Sequence, residues 1–341
     1  MPDSRATRLA AAAFALLLAG CPGGPDPLQP TEIDLTEARR LESAGKPIDA
    51  LVEYARLVDE LRKSSRGDVR AHAAWARILE SLRRLKVGEA LAKAPRETRE
   101  RCASLVAWCS PAGPAFLGAG AAGHWNQVLS LGAEPALLGE AAAGIGGLLA
   151  EKLDDRSLRR GRLEPEGDVS ERLYRRFLAE AAADYLRYSL SRVPPKDPQD
   201  FERAVTCLQR LARELRQLAE LPWVRKGPAA RWVERAAEAD SLALALKFGS
   251  PAALAMSTDL RQSIELDTNG LFRAADQFHT KANDFLSRRA GEDEILDLLE
   301  RCLRMFVTAR ECLVEPSQLQ KRTLDVMPMA ADTLRGIAFE K

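Results

Sequence analysis

Apolar residues recur along most of this chain at the spacing of an α-helix. Between Phe201 and Leu218 they stand three or four positions apart with charged residues between them, and the same pattern runs from Ile295 to Leu313. This spacing gathers the apolar side chains on one helix face, which can pack against a neighbouring helix. The alternation of apolar and polar residues that is typical of β-strands is nearly absent. The pattern therefore predicts an all-α protein.

Proline or a capping residue marks several helix starts just before an apolar run. These places are Asp197-Pro198, Gly227-Pro228, Ser250-Pro251 and Pro316-Ser317. Asn269-Gly270 is a hairpin-type dipeptide, but helical patterns flank it on both sides. An aromatic face at helical spacing, which predicts a core helix, comprises Tyr174, Phe177, Tyr185 and Tyr188.

The first folded segment combines two apolar patterns around a glycine. Small residues would let two short helices pack closely there, and larger ones would fill a groove toward the next pair of helices. The residues concerned are Ala38, Leu41, Ala44-Gly45, Ala50, Tyr54 and Leu57. They resemble one tetratricopeptide unit, although Pro47 stands where that family usually has an aromatic residue. The resemblance implies an array of helical hairpins whose concave surface binds peptides or protein segments.

The N-terminus carries the most specific motif of the chain. Two arginines precede an apolar run (Leu9–Ala19), which ends in Leu18-Ala19-Gly20-Cys21. The run of about eleven residues has the length of a signal-peptide core and is too short to span a bilayer. The final quartet resembles a bacterial lipobox. That resemblance implies removal of Met1–Gly20 and acylation of Cys21, whose several acyl chains give a stable membrane anchor.

The residues after Cys21 are predicted to form a tether. Prolines and glycines dominate positions 22–30, where they remove backbone donors and disfavour both helix and sheet. In enterobacterial lipoproteins an aspartate directly after the lipidated cysteine favours retention in the inner membrane. Pro22 occupies that position here, so the resemblance implies an outer-membrane lipoprotein that faces the periplasm.

These features divide the chain into five expected segments. About 310 residues follow the tether, enough for two modest domains or one extended helical array. The expected segments are a signal peptide at 1–20, a tether at 21–33, a tetratricopeptide-like helical region at 34–153, a charged linker at 154–168 and a C-terminal helical region at 169–341.

The charge balance argues against nucleic acid as a partner. The chain contains 50 Lys and Arg against 49 Asp and Glu. Removal of Met1–Gly20 takes away two arginines and Asp3, so the formal side-chain charges of the mature protein sum to zero. Nucleic-acid binding depends on basic patches that neutralise phosphates, and no such patch is present in the sequence. The same lack of a basic patch argues against electrostatic binding to anionic lipid. The expected attachment to the membrane is the lipid on Cys21.

The segment 102–150 is unusually poor in charge. Glu134 and Glu140 are its only formal charges, and alanine and glycine dominate. One interpretation is a buried pair of helices, in which glycines permit close approach. The alternative is a small-residue surface for a partner helix or for the membrane. A transmembrane span is disfavoured because prolines and polar residues interrupt the segment.

Five cysteines remain once Cys21 is lipidated, so at least one thiol stays free even in an oxidising compartment. Seven residues along one helix separate two α-carbons by about 10.5 Å, which is too far for a disulfide. Any bridge must therefore join different helices, and most of these residues are expected to be buried at helix interfaces. They are Cys102, Cys109, Cys207, Cys302 and Cys312.

The sequence contains no recognised catalytic or metal-binding motif. His72, His124 and His279 have no ligand spacing between them, and no nucleophile elbow, phosphate loop or dinucleotide fingerprint is present. His124 beside Trp125 is expected to be a core or groove histidine. The acidic run Glu292-Asp293-Glu294 fits the first turn of a helix, where acids favour the dipole. No cofactor, metal or catalytic residue is predicted.

The sequence thus favours a lipid-anchored envelope scaffold that binds protein or peptide partners and is not an enzyme. Its expected plan is a tetratricopeptide-like array followed by a second helical bundle. The alternative hypothesis is a helical lipoprotein that binds a small molecule or a lipid in an apolar cavity around 102–150. A hydrolase with a dispersed site is the third and weakest hypothesis.

Overall fold

The computed structural model describes residues 33–63, 68–109, 113–154, 168–193, 198–313 and 317–340. Within these ranges there is no β-strand, and an isolated bridge joins Val224 to Phe339. The predicted all-α class is confirmed. None of the described helices is long and apolar enough to cross a membrane. The α-helices are α1 (Thr36–Ser43), α2 (Pro47–Leu61), α3 (Val69–Arg84), α4 (Val87–Ala92), α5 (Arg96–Arg101), α6 (Gly113–Leu131), α7 (Pro135–Asp154), α8 (Asp168–Arg192), α9 (Pro198–Ala219), α10 (Lys226–Lys247), α11 (Thr258–Ile264), α12 (Thr268–Ser287), α13 (Glu292–Glu311), α14 (Gln318–Leu324) and α15 (Val326–Ala338).

The chain separates into two compact units. The N-terminal unit runs up to Gly132, and the C-terminal unit begins at Ala133. The charged linker predicted at 154–168 lies almost entirely outside the described residues, so the predicted boundary there stays a prediction.

The N-terminal unit begins with a helical hairpin. Helices α1 and α2 pack together across a turn in which Gly45 has φ 69°, a left-handed conformation that favours glycine. The Tyr54 hydroxyl donates a hydrogen bond of 3.0 Å to Glu42, which links the two helices. Helices α3 and α6 form the other main pair of this unit. The hairpin has the form that the resemblance implies, and its assignment as a tetratricopeptide unit stays a prediction.

Helix α8 lies at the centre of the C-terminal unit. Helices α7 and α9 pack against it, α10 packs against α9, and α13 of the α12–α13 hairpin also contacts α8. A helix with neighbours on several sides needs apolar residues around most of its circumference. The predicted aromatic face of α8 is accordingly buried, from Tyr174 to Tyr188.

Most of the predicted helix starts are helix starts in the structure. Helix α9 begins at Pro198, and Ser317 caps α14 through a reciprocal capping box with Gln320. Ser250-Pro251 differs, because it opens a 3₁₀ segment that ends at Leu254. The Arg187 guanidinium donates to the carbonyls of Ala253 and Ala255, at 2.8 and 2.9 Å, and so holds this short segment against α8.

The charge-poor segment 102–150 is shared between the two units. Helix α6 packs against α3, whereas α7 packs against α8. A Cβ atom on Gly139 would lie 2.6 Å from Val193, and one on Gly146 would lie 2.8 Å from Leu186. These glycines therefore let α7 and the α8 segment approach closely, as the interpretation of buried helices requires.

Candidate functional site

Charged side chains form a stripe along the buried helix α8. Arg176, Glu180, Asp184 and Arg187 follow one another at intervals of four, four and three residues, which places them on one helix face. All of them are buried, and Arg176 has no exposed surface. Charged groups are rarely buried to this degree unless they are paired.

Helices α10 and α13 provide the partners for the N-terminal half of this stripe. Arg176 Nη1 donates to Glu300 Oε1 at 2.8 Å, and Trp232 Nε1 donates to the same oxygen at 2.8 Å. Arg235 bridges Glu300 and Glu180, and its Nη2 lies 2.5 Å from Glu180 Oε1. Three helices are thus joined through two carboxylates.

Arg304 of α13 extends the network along the stripe. Its Nη1 donates to Asp184 Oδ2 at 3.3 Å and lies 3.7 Å from Glu180 Oε1. Arg187 Nη1 lies 3.9 Å from the other oxygen of Asp184. We call this set the charge network; its members are Arg176, Glu180, Asp184, Arg187, Arg235, Glu300 and Arg304.

The carboxylates of the charge network respond differently to burial. Burial acts to raise the pKa of Glu300, but the charges and hydrogen bonds of Arg176 and Arg235, together with the Trp232 N–H, outweigh it and lower the pKa to about 2. Burial raises the pKa of Asp184 to about 6, because the attraction of Arg304 offsets it only partly. The Glu300 carboxyl is therefore ionised at neutral pH, whereas the Asp184 carboxyl titrates close to neutral pH.

A cleft of about 190 Å³ lies on this network. Glu180 and Glu300 are almost inaccessible and form its floor, whereas Asp259 and Arg301 are solvent-exposed and mark its opening. We call it the polar cleft. The remaining lining residues are Arg235, Ser257, Leu260, Ser263, Phe278, Asp297, Arg304 and Met305.

Near the polar cleft, the buried atoms without a hydrogen-bond partner among the described protein groups include Glu180 Oε2, Arg176 Nη2 and the Tyr185 hydroxyl. Glu180 Oε2 lies 3.8 Å from Arg176 Nη2. The Tyr185 hydroxyl lies at a void of about 10 Å³ that shares Ser263 and Arg304 with the cleft. This void has about the space of one water molecule.

The polar cleft is lined mainly by carboxylate, guanidinium and hydroxyl groups. Its lining contains neither histidine nor cysteine, and the Ser263 hydroxyl donates to the carbonyl of Leu260 at 2.8 Å. The fixed carboxylates and guanidiniums can hold charged and hydrogen-bonding groups of a ligand. Among the described residues, no group of three or more His, Cys, Asp or Glu is arranged to bind a metal ion.

A second polar cluster lies in the N-terminal unit, where α3 and α6 bring two histidines together. His72 Nδ1 and His124 Nδ1 are 2.9 Å apart, and His124 stacks on Trp75 at 5.7 Å between ring centroids. Burial, helped by His72, lowers the pKa of His124 to about 3, so this imidazole is neutral. Two histidines are fewer ligands than a structural or catalytic zinc site uses. We therefore interpret the partly buried pair as a packing contact between α3 and α6.

The structure brings together residues whose contacts the sequence did not predict. Cys21 lies outside the described residues, and no disulfide joins any of the described cysteines, which are Cys102, Cys109, Cys207, Cys302 and Cys312. The sequence reasoning missed the charge network. Its available signal was a charged residue at every third or fourth position of a helix that also carries an aromatic face.

The proximity of His72 to His124 was missed as well, because 52 residues separate them. No protein-family model matches the chain, and no curated protein or solved structure is significantly similar to it.

Proposed function

We propose that this chain is a lipid-anchored binding protein of the bacterial envelope, and that the polar cleft of its C-terminal unit contacts a protein or peptide partner. The observation that carries the proposal is the cleft itself, in which two buried carboxylates and three partly exposed guanidiniums line an accessible space of about 190 Å³. Polar groups placed in a concave site are what fixes the orientation of a ligand. The protein holds its partner and performs no chemistry on it.

The charges of the cleft suit a partner segment that carries both signs. Buried charges are costly, so an interface that retains them gains specificity more than raw affinity. A partner that presents a bare apolar helix would leave these groups unpaired, which favours a polar peptide segment. The lipobox and Pro22 support an outer-membrane position facing the periplasm, with the tether between lipid and fold.

Site-specific crosslinking tests the partner. A photo-crosslinking residue at Asp259, at the cleft opening, should capture an envelope protein in cells of the source organism. The same residue at Lys247, which is exposed and does not line the cleft, is the matched control. The absence of any adduct specific to position 259 would overturn the proposed use of the cleft.

Substitution of Cys21 tests the anchor separately. Cys21→Ser should leave an unprocessed precursor or release the chain to the soluble fraction, because the acyl chains provide the membrane affinity. Labelling with a radioactive fatty acid should be lost in the same variant. Continued labelling of Cys21→Ser would contradict the lipobox assignment.

A further inference from the structure

We propose that the polar cleft binds a small free zwitterion of the size of an amino acid or a dipeptide. The proposal rests on the cleft being the binding site and adds the chemical class of what enters it. The size of the cleft and the charges of its lining carry it.

The size of the cleft limits the ligand. Its volume is about 190 Å³. Sites for drug-sized ligands enclose about 300–1,000 Å³. The cleft therefore accommodates one or two amino-acid residues rather than a cofactor or a lipid chain.

The charges of the cleft favour a dipolar ligand over an ion. Its lining holds four carboxylates and three guanidiniums, and further guanidiniums lie behind it, because Arg176 is 2.8 Å and Arg231 3.9 Å from Glu300. The site therefore presents charges of both signs. It can orient a molecule that carries both charges, because each charge finds its opposite on the walls.

Two charged side chains at the opening of the polar cleft can each form a further ion pair. Within the described residues Asp259 makes no ion pair, and the only ion-pair partner of Arg301 is Asp297, at 2.8 Å. Asp259 can accept from an ammonium group, and Arg301 can donate to a carboxylate in its fork geometry.

The floor of the cleft consists of the Glu180 and Glu300 carboxylates, which are already paired with the guanidiniums of Arg235 and Arg176. Phe278 and Met305 supply apolar contact for the body of the ligand.

Isothermal titration of the full chain in detergent with alanyl-alanine and its charge-deleted analogues tests the proposal. Alanyl-alanine should bind, whereas N-acetyl-alanyl-alanine, which lacks the ammonium, and alanyl-alanine amide, which lacks the carboxylate, should each bind at least about ten-fold more weakly. Equal binding of either analogue would overturn the zwitterion in favour of a simple cation or anion site. No binding of any of these probes at millimolar concentration would overturn it outright.

Exposed substitutions keep the test independent of folding. Asp259→Asn and Arg301→Gln should each weaken alanyl-alanine binding by at least about ten-fold. The matched controls Asp293→Asn and Arg288→Gln, which are exposed and lie outside the cleft lining, should bind normally. Unchanged binding in both cleft variants would contradict the site. Position-259 crosslinking that persists without dipeptide binding would uphold the proposed function while the zwitterion fails.

Discussion

The two units bury polar groups in opposite ways. The N-terminal unit places the neutral imidazole of His124 against Trp75, whereas the C-terminal unit places charged carboxylates and guanidiniums around α8. A neutral imidazole is inexpensive to bury, but it becomes costly when acid protonates it. A buried ion network is costly to assemble, and a member such as Glu300, with a pKa of about 2, stays charged over a wide pH range. The N-terminal and C-terminal units should therefore lose stability under different conditions.

The largest effect is expected where the charge network is broken. Glu300→Leu leaves Arg176 and Arg235 without their shared carboxylate, and removal of one partner of a buried pair costs about 3–5 kcal/mol. Urea unfolding should show this loss in the C-terminal unit. Glu292→Gln, at an exposed acid of the same helix, should change the free energy of unfolding by less than about 0.5 kcal/mol. Similar small losses for both variants would remove the distinction between the units.

The second-largest expected effect is the loss of stability of the N-terminal unit at acid pH. The folded-state pKa of His124 is about 3, below its ordinary value of 6.5. Its stabilising contribution is therefore complete above pH 6.5 and is lost as pH falls from 6.5 toward 3, at a slope approaching about 1.4 kcal/mol per pH unit. Hydrogen exchange should show earlier opening of α3 and α6 at acid pH. His124→Gln should reduce this slope, and an unchanged slope would exclude the histidine as its source.

A neighbouring pair of glycines on α7 tests the close packing of the C-terminal unit. A Cβ on Gly146 would meet Leu186 at 2.8 Å, whereas one on Gly147 would meet open space. Gly146→Ala should destabilise by about 1–3 kcal/mol through overpacking. Gly147→Ala should stabilise by about 0.5–1 kcal/mol, because alanine favours the helix. Thermal unfolding of the two variants measures both values, and equal shifts would contradict the close approach of α7 and α8.

The smallest effect concerns Asp184, whose pKa burial raises from 3.8 to about 6. A carboxyl with a raised folded-state pKa loses its contribution to stability as pH rises from about 4 through 6, the reverse of His124. Asp184→Asn should flatten this part of the pH profile of the free energy of unfolding. The change should be about 1 kcal/mol or less once the lost contact with Arg304 is taken into account. Chemical denaturation at pH 5 and pH 7.5 measures the change. A steeper profile in the variant would contradict the raised pKa.

The sequence could predict elements better than sites. The helix starts at Pro198 and Gln318, and the burial of Tyr174 and Phe177, follow from local spacing and capping. The bond between Arg176 and Glu300 does not, because 124 residues separate the two. A buried arginine and a solvated one look the same in a single sequence. Charge at every third or fourth position on α8 is typical of an exposed face as well.

The sequence by itself determined the helices and predicts a lipobox, because helical periodicity, caps and a short N-terminal motif are properties of consecutive residues. The tertiary structure alone decided which charges are buried. Helices α8, α10 and α13 must pack before Arg235 can reach Glu180 and Glu300, and the same packing leaves the polar cleft beside them. Electrostatic pairing depends on distance in space and on exclusion of water, and neither is written in the order of the residues.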